Sequence, residues 1–324
     1  MRGYVLTENG PALMEVEAPK PRPGEIQARV HAAALNRVDI AMARGHVHGG
    51  AGGLGNVLGV EWAGEVTALG DGVTCYEIGQ RVMGSGSGAF AEFTVADAGR
   101  INPIPDGNLD FEAAAGLPVA LQTMHDAVVT NGALKAGQAV LIQGASSGVG
   151  LMGLKIAKEM GAGLVIGSST NPERRARLAE FGADLAIDSS DKTWVKQVLE
   201  ATGGQGVDLI VDQVSGPTMN DNLAATRITG RIVNVGRLGG DKAEFNFDLH
   251  AQRRITYVGV TFRTRSRAEV REINRRMIAD LGPALAAGRM TLPIDKAFAF
   301  EDLAGALAHM RANLHLGKII LRGA

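Results

Sequence analysis

At 324 residues the chain is long enough for two domains, and 45% hydrophobic residues give it material for sizeable cores. A net charge of −1 offers no basic field for nucleic acid or an anionic membrane surface, and no apolar run reaches the roughly 18 residues of a membrane span. The single cysteine, Cys75, excludes an intrachain disulfide and a cysteine-rich zinc site. With no charged-then-apolar leader at the N-terminus, a cytoplasmic protein is expected.

Residues 1–100 read as short strands. Residues 4–6 open, and a proline-rich turn at 19–24 leads into residues 25–34, whose alternation fits a strand. Residues 35–40 start a short helix with Asn36 near its N-terminus. The glycine-heavy stretch 46–55, with His46 and His48, is expected to be a mobile edge. Strands follow at 60–69, 80–83 and 89–95, with Gly70-Asp71-Gly72 as a turn, and residues 101–105 lead out. Many short strands at such spacing predict a barrel-like β domain.

The pattern changes near residue 110. Residues 111–115 and 121–131 are helical in pattern, with Pro118 between them. Strand and helix then alternate: strands at 139–142, 163–167, 185–187, 207–211, 231–235 and 255–260, helices at 151–160, 172–181, 194–202 and 219–225. The alternation predicts an α/β class with a parallel sheet covered on both faces. A long amphipathic helix at 268–287 follows, then strands at 293–300 and 318–322 flanking a helix at 303–310.

The stretch Gln143-Gly144-Ala145-Ser146-Ser147-Gly148-Val149-Gly150 joins the first of these strands to its helix. Strand, glycine turn and helix is the setting in which a dinucleotide pyrophosphate binds. Missing Cβ atoms let backbone and phosphate approach, and the N–H groups and positive end of the helix meet the anion. The spacing is G-x-x-x-G-x-G rather than G-x-G-x-x-G, so the turn alone also fits a plain glycine turn. The next strand leads into Ser168-Ser169-Thr170-Asn171-Pro172-Glu173-Arg174-Arg175. A ribose 2′-hydroxyl usually meets an Asp or Glu there, whereas a 2′-phosphate needs neutral donors and an Arg. No acid ends this strand, hydroxyls are plentiful and Arg174 follows, which predicts NADP over NAD. The same residues also read as a helix start, with Thr170 or Asn171 as N-cap and Pro172 in the first turn. Val214, Val235 and Gly236, at later strand ends, are candidates for the nicotinamide side or are plain core. Arg263 and Arg265 approach the substrate or cofactor, or form a solvated basic face.

Several segments resemble motifs of the medium-chain dehydrogenase/reductase superfamily, closest to its zinc-independent NADPH:quinone oxidoreductase branch. Asn36-Arg37-Val38-Asp39 with Arg44-Gly45 resembles N-R-x-D…R-x-G. Leu58-Gly59-Val60-Glu61-Trp62-Ala63-Gly64-Glu65-Val66 resembles L-G-x-E-x-x-G-x-V, and Gly79-Gln80-Arg81-Val82 resembles G-D-R-V. Residues 113–118 resemble A-A-A-x-L-P, residues 259–266 resemble G-S-T-L-R-x-R-S, and Gly317-Lys318-Ile319-Ile320-Leu321 resembles G-K-I-V-L. The resemblance covers nearly the whole chain in order. It implies a Rossmann doubly wound parallel sheet domain at 119–263 and a GroES-like β-barrel catalytic domain from 1–118 and 264–324. It also implies an active site in the cleft between them, and a homodimer through the strand at 255–260.

Zinc-dependent relatives carry a Cys where this chain has Asn36 and a His where it has Val60, so no zinc is expected. His46 and His48 on the glycine loop read as solvated. The resemblance implies that Asn36, Asp39 and Arg44 line the floor of the site. Asn36 would donate to a substrate oxygen, and Asp39 would orient Arg37, Arg44 or a water. Each also has a structural reading, Asn36 as a helix cap and Asp39 as a first-turn charge. Thr123 matches T-x-Y, with His125 in place of the Tyr, and is implied to face the cofactor. Met42 and Phe90 stand where relatives carry tyrosines, which leaves proton delivery to water or to a histidine of the 46–55 loop. Without a Lewis acid, hydride addition to a quinone or an activated C=C bond is favoured, because its charge spreads over an enolate-like system that hydrogen-bond donors stabilise. The expectation is an NADPH-dependent reductase of a small quinone or α,β-unsaturated carbonyl. Alternatives are an enoyl-thioester reductase of the same superfamily and a low-turnover NADPH-binding protein of crystallin type.

Overall fold

In the computed structural model, which describes residues 1–107 and 109–323, the chain forms two units. One takes in Met1–Val119 and Phe262–Ala324, the other Ala120–Thr261.

The first unit is built on a seven-stranded sheet. Its path runs Ile294–Phe298, Lys318–Arg322, Glu25–Ala34, Glu61–Leu69, Arg81–Ser85, Ile101–Pro103, and Phe93–Asp97 also pairs with Glu25–Ala34. Register shifts at Gln27/Ala28 and Val30/Ala32 bend this long strand, and such bulges let one strand serve several neighbours. Gly64 is needed opposite it, since a Cβ there would fall 1.9 Å from the Arg29 carbonyl oxygen. Ile26, Leu35, Met42, Leu58, Trp62 and Phe90 fill the core. The late strand Lys318–Arg322 pairs antiparallel with residues 32–34, Ile320 opposite Ala34. That register carries Lys318 to the beginning of the Arg37–Met42 helix.

Two features depart from expectation here. Residues 46–55 hold a small hairpin, Val47–His48 against Ala51–Gly52, turned at Gly49 with φ +61°. It folds back tightly: a Cβ on Gly52 would lie 2.7 Å from the His46 carbonyl oxygen and 3.0 Å from Met42 Cγ, so glycine lets the hairpin close beside the helix end. Gly10–Glu15, for which no element is expected from the sequence, pairs antiparallel with Arg2–Thr7.

The second unit is a six-stranded parallel sheet in the order Leu185–Ile187, Leu164–Ser168, Ala139–Gln143, Val207–Asp212, Thr226–Asn234, Thr256–Gly259. Counted along the chain this is 3-2-1-4-5-6, the doubly wound order, which reverses between Ala139–Gln143 and Val207–Asp212. The inner strand Ala139–Gln143 is a continuous apolar run because both its faces are covered; Leu141, Ile166, Ile210 and Ile232 pack with Trp194, Val198 and Leu223. The helix Phe111–Ala115 forms as expected, and the second helix begins at Pro118 itself, Pro118–His125, since a first-turn position needs no N–H. A π-helical turn, Asp126–Thr130, follows. The short helix Phe247–Arg253, capped by Asn246 accepting from Leu249 N, is not legible as an element in the sequence.

Candidate active site

The glycine turn lies at the strand-order reversal. Gly144 adopts φ +71°, open to glycine. A Cβ on Gly150 would fall 2.6 Å from the Gly144 carbonyl oxygen, so glycine is what lets the helix start this close to the strand. Ser147 caps the Gly148–Glu159 helix, its Oγ accepting from Gly150 N at 2.9 Å. The same hydroxyl lies 3.1 Å from Gln213 Oε1, and Gln213 Nε2 donates to Gln143 O at 3.1 Å, tying the turn to the end of Val207–Asp212. The N–H groups of Gly148 and Val149 open the helix and have no acceptor within it. They are what an anion would meet, together with the positive end of a 12-residue helix.

The loop after Leu164–Ser168 is ordered by its own hydroxyls. Ser168 Oγ accepts from Gly144 N at 2.9 Å and donates to Gln143 Oε1 at 2.5 Å, so this buried hydroxyl joins two strand ends rather than facing a ligand. Ser169 Oγ and Ser146 Oγ lie 2.9 Å apart, which brings the glycine turn and the second strand together at one point. Thr170 is exposed beside them. Asn171, not Thr170, is the cap of Pro172–Ala176, accepting from Arg174 N at 2.9 Å. Arg174 is half-buried. Arg175, which nothing in the sequence singles out beside Arg174, donates to Ser169 O at 2.8 Å and to Asp188 at 2.9 Å and so holds the loop backbone.

At the other strand ends, Asp212 is fully buried; its Oδ1 accepts from Val214 N at 2.8 Å and Ser215 N at 2.9 Å. Burial raises its pKa above the usual carboxylate range, against the pull of those N–H groups and of Asn222. Val214, Val235 and Gly236 are partly exposed at this edge. Thr123 is half-buried on the Pro118–His125 helix, and His125 is fully buried.

In the barrel unit, Asn36 caps the Arg37–Met42 helix and belongs to a buried polar cluster whose members are far apart in the sequence. Asn36 Nδ2 donates to Glu61 Oε2 at 2.9 Å and to Ala34 O at 3.3 Å, and Lys318 Nζ donates to Asn36 Oδ1 at 3.0 Å. These partners fix the amide orientation, since only nitrogen can donate to the carboxylate and only oxygen can accept from the ammonium. Both amide protons are therefore committed internally. The expected donation from Asn36 to a substrate oxygen has no free N–H in this arrangement. Lys318 Nζ also donates to Glu61 Oε2 at 2.6 Å, and Glu61 Oε1 accepts from Val119 N at 2.7 Å.

Asp39 is 2% exposed; its Oδ2 accepts from Asn36 N at 2.6 Å while Oδ1 has no hydrogen-bond partner. Burial lifts its pKa to about 7; the Asn36 N–H and Lys318 pull the other way, and Glu61 adds to the rise. Arg37, which Asp39 was expected to orient, donates to Asn313 Oδ1. Arg44 lies beyond the helix end, outside the buried cluster. Arg263, also outside the cluster, belongs to this unit and runs beside the hairpin: a Cβ on Gly49 would be 3.4 Å from its carbonyl oxygen. Burial, then the Arg263 charge, holds half-buried His48 below its ordinary pKa. Among the described residues no group of three or more His, Cys, Asp or Glu could hold a metal ion, and no helix is long and apolar enough to cross a membrane.

Two family models match the chain. The alcohol dehydrogenase GroES-like domain covers residues 22–106, and the zinc-binding dehydrogenase model covers residues 148–279. A stretch of a mycocerosic acid synthase-like polyketide synthase of Mycolicibacterium smegmatis is 29% identical over 311 residues. That match takes in 95% of this chain, which spans 14% of the relative's length. Among solved structures, a quinone oxidoreductase of Pseudomonas syringae pv. tomato is similar with a TM-score of 0.86 at 28% identity, over 99% of this chain and 100% of that one. A mycobacterial protein solved in complex with NADPH gives a TM-score of 0.86 at 25% identity, over 99% of both chains.

Proposed function

Because the chain belongs to the medium-chain dehydrogenase/reductase superfamily, we propose that it is an NADPH-dependent oxidoreductase needing no zinc. Its hydride acceptor is then a quinone or the C=C bond of an α,β-unsaturated carbonyl. The observation that carries this reading is the Gly144–Gly150 turn at the strand-order reversal, followed by a second strand that ends in hydroxyls, Ser168 to Thr170, with no acid at its end and with Arg174 shortly after. The N–H groups of Gly148 and Val149 would take the pyrophosphate. Ser146, Ser169, Thr170 and Arg174 would surround the 2′-phosphate, and Val214, Val235 and Gly236 the nicotinamide end. When bound, NADPH supplies the hydride; the chain binds, orients and excludes water. The likeness to a protein solved with NADPH supports the cofactor, and the likeness to a quinone oxidoreductase supports the acceptor class.

The metal-free reading rests on donor chemistry. Asn36 stands where zinc-dependent relatives place a cysteine, and its oxygen is held by the Lys318 ammonium. That positive charge opposes a second cation there, and a neutral amide is a weak substitute for a thiolate. Stoichiometric zinc in the purified protein would overturn this part.

Enoyl-thioester reduction is the second reading, favoured by similarity to a segment of a polyketide synthase. NADPH oxidation across quinones, enones and enoyl thioesters tests both. Turnover confined to thioesters selects the second, and tight NADPH binding with no turnover on any acceptor defeats the enzyme reading altogether.

A further inference from the structure

Ser215, in the turn after Val207–Asp212, has φ +57° and ψ −156°. This is a region that glycine occupies freely and a residue with a Cβ does not. The serine is 7% exposed. A cavity of about 200 Å³ lies against Ser215, Gly216 and Asn234. Three hydrogen bonds hold the residue on its other sides. Asp212 Oδ1 accepts the Ser215 N–H at 2.9 Å, Ser215 Oγ donates to Gly236 O at 2.8 Å, and Asn234 Nδ2 donates to the same Oγ.

The hydroxyl therefore joins the turn after Val207–Asp212 to the turn after Thr226–Asn234. The backbone reinforces the junction: Val235 N and Gly236 N donate to Asp212 O at 2.8 and 3.1 Å, and Gly239 N donates to Val214 O at 2.7 Å. A Cβ on Gly236 would fall 2.7 Å from Gln213 O, so the two turns run in direct contact. Glycine at 215 would adopt this backbone without strain but could not make the side-chain link. A buried serine kept in a glycine conformation, with its one hydroxyl proton and one acceptor site spent between two strand ends, is a local cost that needs a return elsewhere.

We infer that Ser215 is a positioning residue for the nicotinamide end of the cofactor. Its hydroxyl holds Val214 and the Val235-Gly236 pair as one surface. The inference rests on the NADPH reading above and concerns only one end of that ligand. Ser215→Gly removes both the strain and the link. It is expected to weaken NADPH about 5- to 10-fold and to lower kcat. The fragment 2′,5′-ADP, which lacks the nicotinamide half, should bind it within twofold of wild type. Asn234→Ala leaves the Ser215 backbone alone while removing the donor to its hydroxyl; it should lower Tm and show the same split between NADPH and 2′,5′-ADP.

Isothermal titration of NADPH and 2′,5′-ADP into wild type and both variants, with kcat and KM measured alongside, decides the matter. Unchanged NADPH affinity and turnover in Ser215→Gly overturns the inference, as does equal weakening of NADPH and 2′,5′-ADP. Wild type that binds neither ligand overturns the NADPH reading itself, and this inference with it.

Discussion

Lys318 Nζ lies 2.6 Å from Glu61 Oε2, with 4% and 0% of the two side chains exposed. A buried ion pair is tolerated where its members satisfy each other and where neighbours, here Asn36 and Val119, supply the remaining hydrogen bonds. Removing one partner strands the other. Lys318→Met is expected to destabilise the barrel unit by about 3–5 kcal/mol. The double variant Lys318→Met/Glu61→Met should recover much of that loss. Urea unfolding reports it through Trp62, which lies in the core of this unit, in a Trp194→Phe background. A single-variant loss under about 1 kcal/mol would mean that water or a neighbour replaces the ammonium without penalty.

Arg174 and Arg175 are adjacent but have different expected effects. Arg175 is held by Ser169 O and Asp188, so Arg175→Ala loosens a loop that serves both cofactors and should weaken NADPH and NADH alike. Arg174→Ala removes the guanidinium assigned to the 2′-phosphate. A charge-assisted hydrogen bond is worth about 1.5–3 kcal/mol, so NADPH affinity should fall about 10- to 150-fold while NADH changes little. Fluorescence titration with both cofactors separates the two residues. The opposite pattern would move the phosphate site to Arg175.

Which parts were legible follows from the range of the forces involved. Val140, Leu141 and Ile142 form an apolar run because both faces of a parallel strand are covered, and that pattern is readable one residue at a time. Gly144 and Gly150 are also local, one set by its φ and the other by a contact six residues away. Lys318 and Glu61 are 257 residues apart. A lysine opening an apolar strand reads as a solvated end until the pairing of Ile320 with Ala34 turns it inward. The same closure explains Asn36, whose amide looks available to a substrate until Glu61 and Lys318 are placed beside it. Residues 46–55 read as a glycine-rich loop, and the pairing of Val47 with Gly52 becomes visible only once Gly52 is placed close to the His46 carbonyl.

The Thr256–Gly259 strand ends the parallel sheet, paired with Thr226–Asn234 on one side. Tyr257 is 41% exposed on it, and Phe247 on the preceding helix is 76% exposed. An uncovered strand edge with aromatic neighbours is a template for pairing, and here the reading is a second copy of this chain across that edge. Light scattering after size exclusion is expected to give a dimer. Thr256→Lys/Tyr257→Lys, which places like charges along the edge, should give a monomer that still folds. A wild-type monomer at micromolar concentration removes the proposal.

Asp39 carries the pH dependence. Burial raises its carboxyl from 3.8 to about 7, so the folded chain holds this proton more tightly than the unfolded chain does. The resulting stabilisation is complete below pH about 4, is lost progressively as pH rises towards 7, and changes no further above that. The unpaired Oδ1 gives the loss its physical origin, since an ionised carboxylate there has a buried oxygen with no donor. Asp39→Asn keeps an oxygen to accept from Asn36 N and removes the titration. The stability of wild type relative to Asp39→Asn should therefore fall by about 2–4 kcal/mol between pH 4 and 7. Urea midpoints measured across that range for both proteins give the difference directly. A flat difference would mean that a donor reaches Oδ1 and keeps Asp39 ionised, and with it the carboxylate available to orient a water.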